Sequence, residues 1–245
     1  MKAECIIFPD IHGRDFWKKV VIDDCGWETH RFIFLGDYFD PYPREGITID
    51  DAIINWYELM AATKRWKRSH KHDTFIFLMG NHDAHYINTV FDRISGGCRK
   101  SSNRSIAYLL KSMFLQIACQ LKVGDKNVLF SHAGVMSDWY QAHKELIGDL
   151  NATNINNLTK SDEGWLALAE CDRYRGGYLD YGSPLWADMR QRSEHDNDLE
   201  GLDFDYQVVG HTQILDNEPI IFDHIADLDC HHAFALTSDL HFEKI

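Results

Sequence analysis

Six short segments of this chain each run a stretch of apolar residues into acid, imidazole, amide or glycine side chains: IIFPDIHGR, FIFLGDYFDPY, FIFLMGNHDAH, VLFSHAG, PLWAD and VVGHT. In the first three the run is β-prone and unbroken, which reads as a strand buried on both faces. Strands of that kind belong to α/β sheets, where ligands gather beyond the carboxyl ends. Asp10, His12, Asp37, Asp40, Asn81 and His82 are therefore expected to converge although they are far apart in the chain. Gly13, Gly36 and Gly80 let the backbone turn tightly beside them. One histidine after one strand is more often a hydrogen-bonded loop residue than a ligand. Repetition of the pattern at five strand ends tips the balance toward a site.

Carboxylate, imidazole and a single amide oxygen form a borderline-hard donor set, suited to manganese, iron or zinc rather than to thiolate-bound metals. No cysteine lies in the segments. A carboxylate bridging two ions about 3.5–4 Å apart would let both grip one phosphoryl group, the arrangement used for phosphoester hydrolysis.

The rest of the chain reads as alternating α and β. Strands are expected at 3–8, 31–35 and 74–79, and a helix over 50–68 with its apolar stripe at 53, 56, 57, 60 and 61 and Thr48 or Asp50 as cap. A second helix is expected over 103–121, then a hairpin turning at Gly124-Asp125 that delivers His132. The polar, aromatic-rich stretch 137–205 reads as an insertion over the site, with helical patches at 139–147 and 162–171. Trp139, Tyr174, Tyr178 and Trp186 are its candidate pocket aromatics, although packing is the default role of such residues. Strands resume at 206–210, 219–222 and 233–242.

A chain of 245 residues buries a large core and can remain one domain. No segment approaches the roughly 18 uninterrupted apolar residues of a membrane span, and acidic residues follow the N-terminus too soon for a secretory signal. The six cysteines, Cys98 among them, show no C-x-x-C pair and read as free thiols of a reducing, cytoplasmic setting. A net charge of −13 weighs against long nucleic acid as a partner. The basic stretch KRWKRSHKH at 64–72 reads as a solvated helix end.

In order and content, PDIHG, GDYFD, GNHD, SHAG and GHT resemble the calcineurin-like metallophosphoesterases, and within them the phosphoprotein phosphatase branch that includes bacterial serine/threonine phosphatases and diadenosine tetraphosphatases. The resemblance implies a four-layer α/β/β/α sandwich with two mixed sheets flanked by helices. It implies two divalent ions, manganese first among the candidates with iron or zinc as others. Asp10, His12 and Asp37 would hold one ion, and Asp37 as bridge, Asn81, His132 and His211 the other. A metal-bridging hydroxide would attack phosphorus in line, with His82 protonating the leaving group and Asp40 orienting His82. Gln213 follows GHT where the nuclease-like branch usually has a second histidine, which favours the phosphatase-like branch.

One departure bears on substrate. Where the branch continues its second motif with Arg-Gly, the arginine clamping phosphate, this chain has Pro41 and Tyr42. Arg14, Arg44, Arg175, Arg190 and Arg192 are the candidate replacements, each weighed against ordinary surface arginine; GSPLWADMRQR resembles the tryptophan-containing segment that precedes a phosphate-contacting arginine, which favours Arg190. SHAG also carries Ala133 where glycine is common, a change small enough to leave His132 free to bind. The implied activity is a phosphatase acting on phosphoprotein or a small phosphorylated metabolite. The alternatives are a dinucleoside polyphosphate hydrolase or phosphodiesterase, and a non-catalytic scaffold on the same fold.

Overall fold

The computed structural model describes residues 1–23, 25–94, 103–190 and 203–245. In chain order the strands are β1 (Cys5–Phe8), β2 (Arg31–Phe34), β3 (Thr74–Leu78), β4 (Leu115–Gln116), β5 (Ala118–Val123), β6 (Lys126–Ser131), β7 (Tyr206–Val209), β8 (Ile220–Ile221), β9 (Ile225–Asp227), β10 (Phe234–Leu236) and β11 (Phe242–Lys244). The helices are α1 (Lys18–Val21), α2 (Ile49–Ser69), α3 (Asn81–Ile87), α4 (Asn103–Lys111), α5 (Ser137–Ile147), α6 (Ala152–Asn157) and α7 (Asp162–Leu168). One sheet runs β11-β10-β1-β2-β3-β4 and the other β5-β6-β7-β9-β8. Both are mixed. Strands β1 to β4 are parallel to one another, as are β6, β7 and β9, and antiparallel pairings (β1-β10, β10-β11, β5-β6 and β8-β9) close every edge but that at β4.

Alternate residues of the central strands enter different cores, which is why their sequence shows no polar face. Ile6, Phe8, Phe32, Phe34 and Phe77 pack under α1, α2 and α4, whereas Cys5, Ile7, Ile33, Leu35 and Leu78 meet Val128, Phe130 and Val208 of the second sheet. Phe8, Phe34 and Phe77 stack in a row across three strands, at centroid spacings of 4.2 and 4.9 Å. Fully burying each such ring contributes about 1.5–3 kcal/mol. Helices α5 to α7 cover the outer face of the second sheet through Ala118 and Leu129. The result is the expected order of helices, sheet, sheet, helices.

Four expectations are corrected. Helix α2 begins at a Thr48 capping box with Asp51, as its sequence signals, but its buried face is Ala52, Asn55, Trp56, Leu59, Ala62 and Thr63, with Tyr57 exposed. Asn55 hides that face from an apolar count because its amide is satisfied internally, by Trp17 Nε1 at 3.1 Å and the Arg14 carbonyl at 3.0 Å. The helix expected to 121 stops at Lys111, and Ala118–Val123 instead pairs with β6. The Asn156 side chain fixes this switch, accepting from the amides of Ile117 and Ala118 at 2.7 and 3.1 Å. The strand expected over 233–242 is a hairpin of β10 and β11, closed by Thr237 N to His241 O at 3.0 Å.

The described part of stretch 137–205, read as a cover over the site, divides in two: α5 to α7 form a core layer, and Arg175 beyond them reaches the site. Trp139 belongs to that core, donating to Ala167 O at 3.0 Å, and Tyr178 is fully exposed. Cys5, Cys25, Cys119, Cys171 and Cys230 are free thiols; Cys98 and Arg192 lie outside the described residues. Among the described residues no helix is long and apolar enough to cross a membrane.

Candidate metal centre

Five parallel strands from the two sheets end on one spot. The loop after β1 brings Asp10 and His12, that after β2 Asp37 and Asp40, that after β3 Asn81 and His82, and those after β6 and β7 His132 and His211. The six candidate ligands are at most 6% exposed. His12, Asp37, Asp40 and His211 all adopt positive φ, between 43° and 72°. That region strains residues with a side chain and is found where surrounding structure enforces it.

Glycines make the convergence sterically feasible. A Cβ on Gly80 would collide with the backbone and carboxylate of Asp37, and one on Gly36 with the backbone of Gly80. Asp83 ties the same two loops, accepting the amides of Asp37, Tyr38 and Gly80 at 2.8, 3.1 and 2.9 Å. Burial pushes its carboxyl up to about 7 against the pull of these amides. Its role could not be read from the chain, because two of its partners lie more than forty residues away.

The imidazoles are set up as neutral donors. His12 Nδ1 donates to Phe39 O at 2.8 Å and His132 Nδ1 to Leu35 O at 3.0 Å, since a carbonyl only accepts. Each Nε2 is thereby left with a lone pair directed inward. His12 Nε2 lies 3.4 Å from an Asp37 oxygen, and His132 Nε2 lies 2.9 Å from Asn81 Oδ1, 3.0 Å from His211 Nδ1 and 3.5 Å from Asp37. Burial lowers His12 to about 3 and His132 to about 4, and drives His211 well down with help from Arg175. Burial also raises the Asp37 carboxyl, reinforced by Asp10.

Buried acids thus face imidazoles that are not charged. Among the described residues the Nε2 atoms of His12 and His211 have no hydrogen-bond partner, and an unpaired buried donor or acceptor costs about 1–3 kcal/mol. Asp37 belongs to two potential ligand groups whose atoms lie within 4.8 Å, one with His12 and His82 and one with His132 and His211. The donor chemistry and the orphaned nitrogens both fit divalent cations with Asp37 common to two positions. His82 is set apart: its Nδ1 is 3.1 Å from Asp40 and its side chain is 21% exposed.

The four described arginine candidates are all engaged. Arg14 is buried, forked onto Glu45 at 2.8 and 2.9 Å, and donates to Asp10 O at 3.1 Å. Arg175 reaches Asp188 at 2.6 Å and donates to His211 O and Thr212 Oγ1, both at 3.0 Å, so it stands at the centre's edge. Arg190 shares Asp188 at 2.8 Å from an exposed position over the Tyr174 ring, and Arg44 spans the rim to Gln213. Tyr42, in the place of the absent arginine's neighbour, covers His12 at 4.7 Å between the guanidinium groups of Arg14 and Arg44. Trp186, the other pocket aromatic, stands edge-on to His211 at 6.2 Å. Asp227 and Asp229, in the C-terminal tail, are also buried with an unpaired oxygen each, and burial with Asp10 nearby raises Asp229. Asp188 is the acid that ends PLWAD, but the segment itself does not show that it pairs with Arg175.

The sequence model of the calcineurin-like phosphoesterases matches residues 5–215. Similar solved structures include a cold-active protein-tyrosine phosphatase of a psychrophilic Shewanella species, 16% identical with a TM-score of 0.60, covering 100% of this chain and 80% of that one. Another is a protein serine/threonine phosphatase from Saccharomyces cerevisiae, 14% identical with a TM-score of 0.50, covering 91% of this chain and 66% of that one. At such identities the likeness shows the fold. No curated protein matches the sequence.

Proposed function

This chain belongs to the calcineurin-like phosphoesterase family and is a phosphoester hydrolase, and from that premise we propose that it is a phosphatase with a dinuclear metal centre, acting on phosphorylated protein or a small phosphorylated metabolite. One observation carries the reading: five buried residues with oxygen and nitrogen donors surround Asp37, beside a partly exposed histidine already paired to a carboxylate. Asp10, His12 and Asp37 would hold the first ion, and Asp37, Asn81, His132 and His211 the second, with manganese the first candidate. When bound, the two ions supply Lewis-acid charge to the phosphoryl oxygens and lower the pKa of the attacking water.

The remaining work falls to the chain. His82 donates Nδ1–H to Asp40, and in the imidazolium form its Nε2–H is the proton given to the leaving oxygen, which leaves the ring neutral. Asp40 fixes the ring's orientation from a nearly buried position. Arg175, held at the edge by Asp188, and Arg14, held by Glu45, contribute guanidinium charge beside the phosphoryl position.

The manganese-loaded protein should hydrolyse p-nitrophenyl phosphate, and His82→Ala should slow this by roughly 10²–10⁴ with metal content intact. Full activity in that variant on phenyl phosphate as well would remove His82 from the reaction. Asp37→Asn should lose metal; two ions retained per chain would sink the bridging assignment. A panel of phosphopeptides, nucleotides and dinucleotides, compared by kcat/KM, identifies the substrate class.

A further inference from the structure

Asp40 serves more than one histidine. Its Oδ2 lies 3.1 Å from His82 Nδ1 and also 3.1 Å from His85 Nε2, while its Oδ1 accepts the Tyr86 hydroxyl at 2.5 Å. His82, His85 and Tyr86 all lie on α3, and spacings of three and four residues put them on one helical face. A single turn of helix therefore presents three donors to one carboxylate. His85 and Tyr86 are 3% and 4% exposed, so neither bond competes with bulk water.

The rings interlock as well. His82 and His85 meet at 5.6 Å and His85 and Tyr86 at 4.5 Å, each pair at 66°. Asp40 itself sits at φ 59°, a conformation that an aspartate adopts under constraint. With donors on both oxygens, its carboxylate cannot rotate toward His82 or away from it without breaking the bonds to His85 or Tyr86. Burial lowers the basicity of His85 and favours its neutral form, whose Nε2–H then points at Asp40.

We propose that His85 and Tyr86 are positioning residues for proton donation: by clamping the Asp40 carboxylate they fix the direction in which His82 Nε2 faces the leaving oxygen. The proposal rests on the reading of His82 as the acid. No acceptor beyond Asp40 is needed to pair with His82 Nδ1–H, so the two further bonds serve Asp40's orientation rather than His82's charge.

The test compares phenyl phosphate, whose leaving group needs a proton, with p-nitrophenyl phosphate, whose leaving group needs it far less. His82→Ala should lose much more activity on the phenyl ester. Tyr86→Phe and His85→Leu should show the same bias in weaker form, a roughly 3- to 10-fold fall in kcat on phenyl phosphate with a smaller fall on the nitrophenyl ester and little change in KM. His85→Gln, which keeps an N–H donor, should recover part of the loss. In the double variant His82→Ala with Tyr86→Phe, the second change should cost nothing further.

Equal losses of the Tyr86 and His85 variants on both esters would mark these residues as merely structural and overturn the proposal. So would an additive loss in the double variant. If His82→Ala itself showed no leaving-group bias, the acid assignment would fail first and carry the clamp with it. If His82→Ala shows the bias and the clamp variants do not, the acid stands and the clamp alone is wrong.

Discussion

The donors around Asp37 and the arginines around the rim were assembled by different means. The donors stand on strand ends locked by glycine contacts and by Asp83, and none is more than 6% exposed. The arginines are held by side-chain pairs: Arg14 with Glu45, Arg175 and Arg190 with Asp188, Arg44 with Gln213. The centre's geometry is therefore a property of the sheets, set before any ligand arrives. The rim's geometry is a balance of local attractions that an incoming phosphate enters as a competitor. Within the rim the balance is uneven. An exposed ion pair such as that of Arg190, 58% exposed, is worth about 0–1 kcal/mol. Arg175, 22% exposed, shares the buried Asp188 with Arg190 and also donates to His211 O and Thr212 Oγ1 at 3.0 Å, so it is the more firmly held of the two.

The largest effect is expected where the two loops of the centre touch. In Gly80→Ala the new methyl group lands on the backbone and carboxylate of Asp37, and neither can withdraw, because the Asp37 amide is bonded to Asp83 and its Oδ1 accepts His82 N at 2.9 Å. Overpacking of this kind costs about 1–3 kcal/mol, and in a chain of this size each kcal/mol lowers Tm by about 2–4 °C. Activity should fall further than stability, with metal per chain dropping well below that of the parent by elemental analysis. A Gly80→Ala protein that keeps its metal and its rate would show that the centre adapts as readily as the rim, and the contrast would collapse.

The same contrast explains what could be read from the chain. Strand ends were legible because both-face burial leaves an unbroken apolar run, as in Phe32 to Leu35, and chemistry follows immediately at Gly36 and Asp37. The two-sheet architecture followed from the family resemblance and is what the structure has. Polar groups satisfied over long range were not legible. Asn55 was left out of the apolar stripe although it lies in the core, Asn156 turned an apparent helix into a strand, and Asp83, His85 and Tyr86 act through partners more than forty residues away. In the rim Arg190 finds the carboxylate two residues before it, but the sequence around Arg14 and Arg175 does not show that they pair with Glu45 and Asp188.

A middle-sized effect is expected at Arg175. Its guanidinium donates to His211 O and Thr212 Oγ1 while held by Asp188, so Arg175→Met removes a fixed charge without touching a proposed ligand side chain. A charge-assisted hydrogen bond contributes about 1.5–3 kcal/mol, which corresponds to a fall of roughly 10- to 150-fold in kcat/KM. Metal content should be retained, because Arg175 reaches His211 through its backbone carbonyl and not through its ring. Loss of metal in this variant would mean that the rim helps build the centre, and the division between them would have to be redrawn.

The smallest effect is expected at Arg44. It is exposed, it touches Tyr42 and Gln213, and it has no buried acid to satisfy, so it can swing toward a phosphate or away from it at little cost. Arg44→Ala should change stability by less than about 0.5 kcal/mol. It should raise KM a few-fold for substrates that extend past the rim, and leave small aryl phosphates nearly unaffected. The comparison with Arg175→Met is the informative one, made with the same pair of substrates. If Arg44→Ala proved the more damaging on p-nitrophenyl phosphate, the adaptable arginine would be the phosphate clamp. Tyr42, lying between Arg14 and Arg44, would then be the residue that steers it in place of the family's fixed arginine.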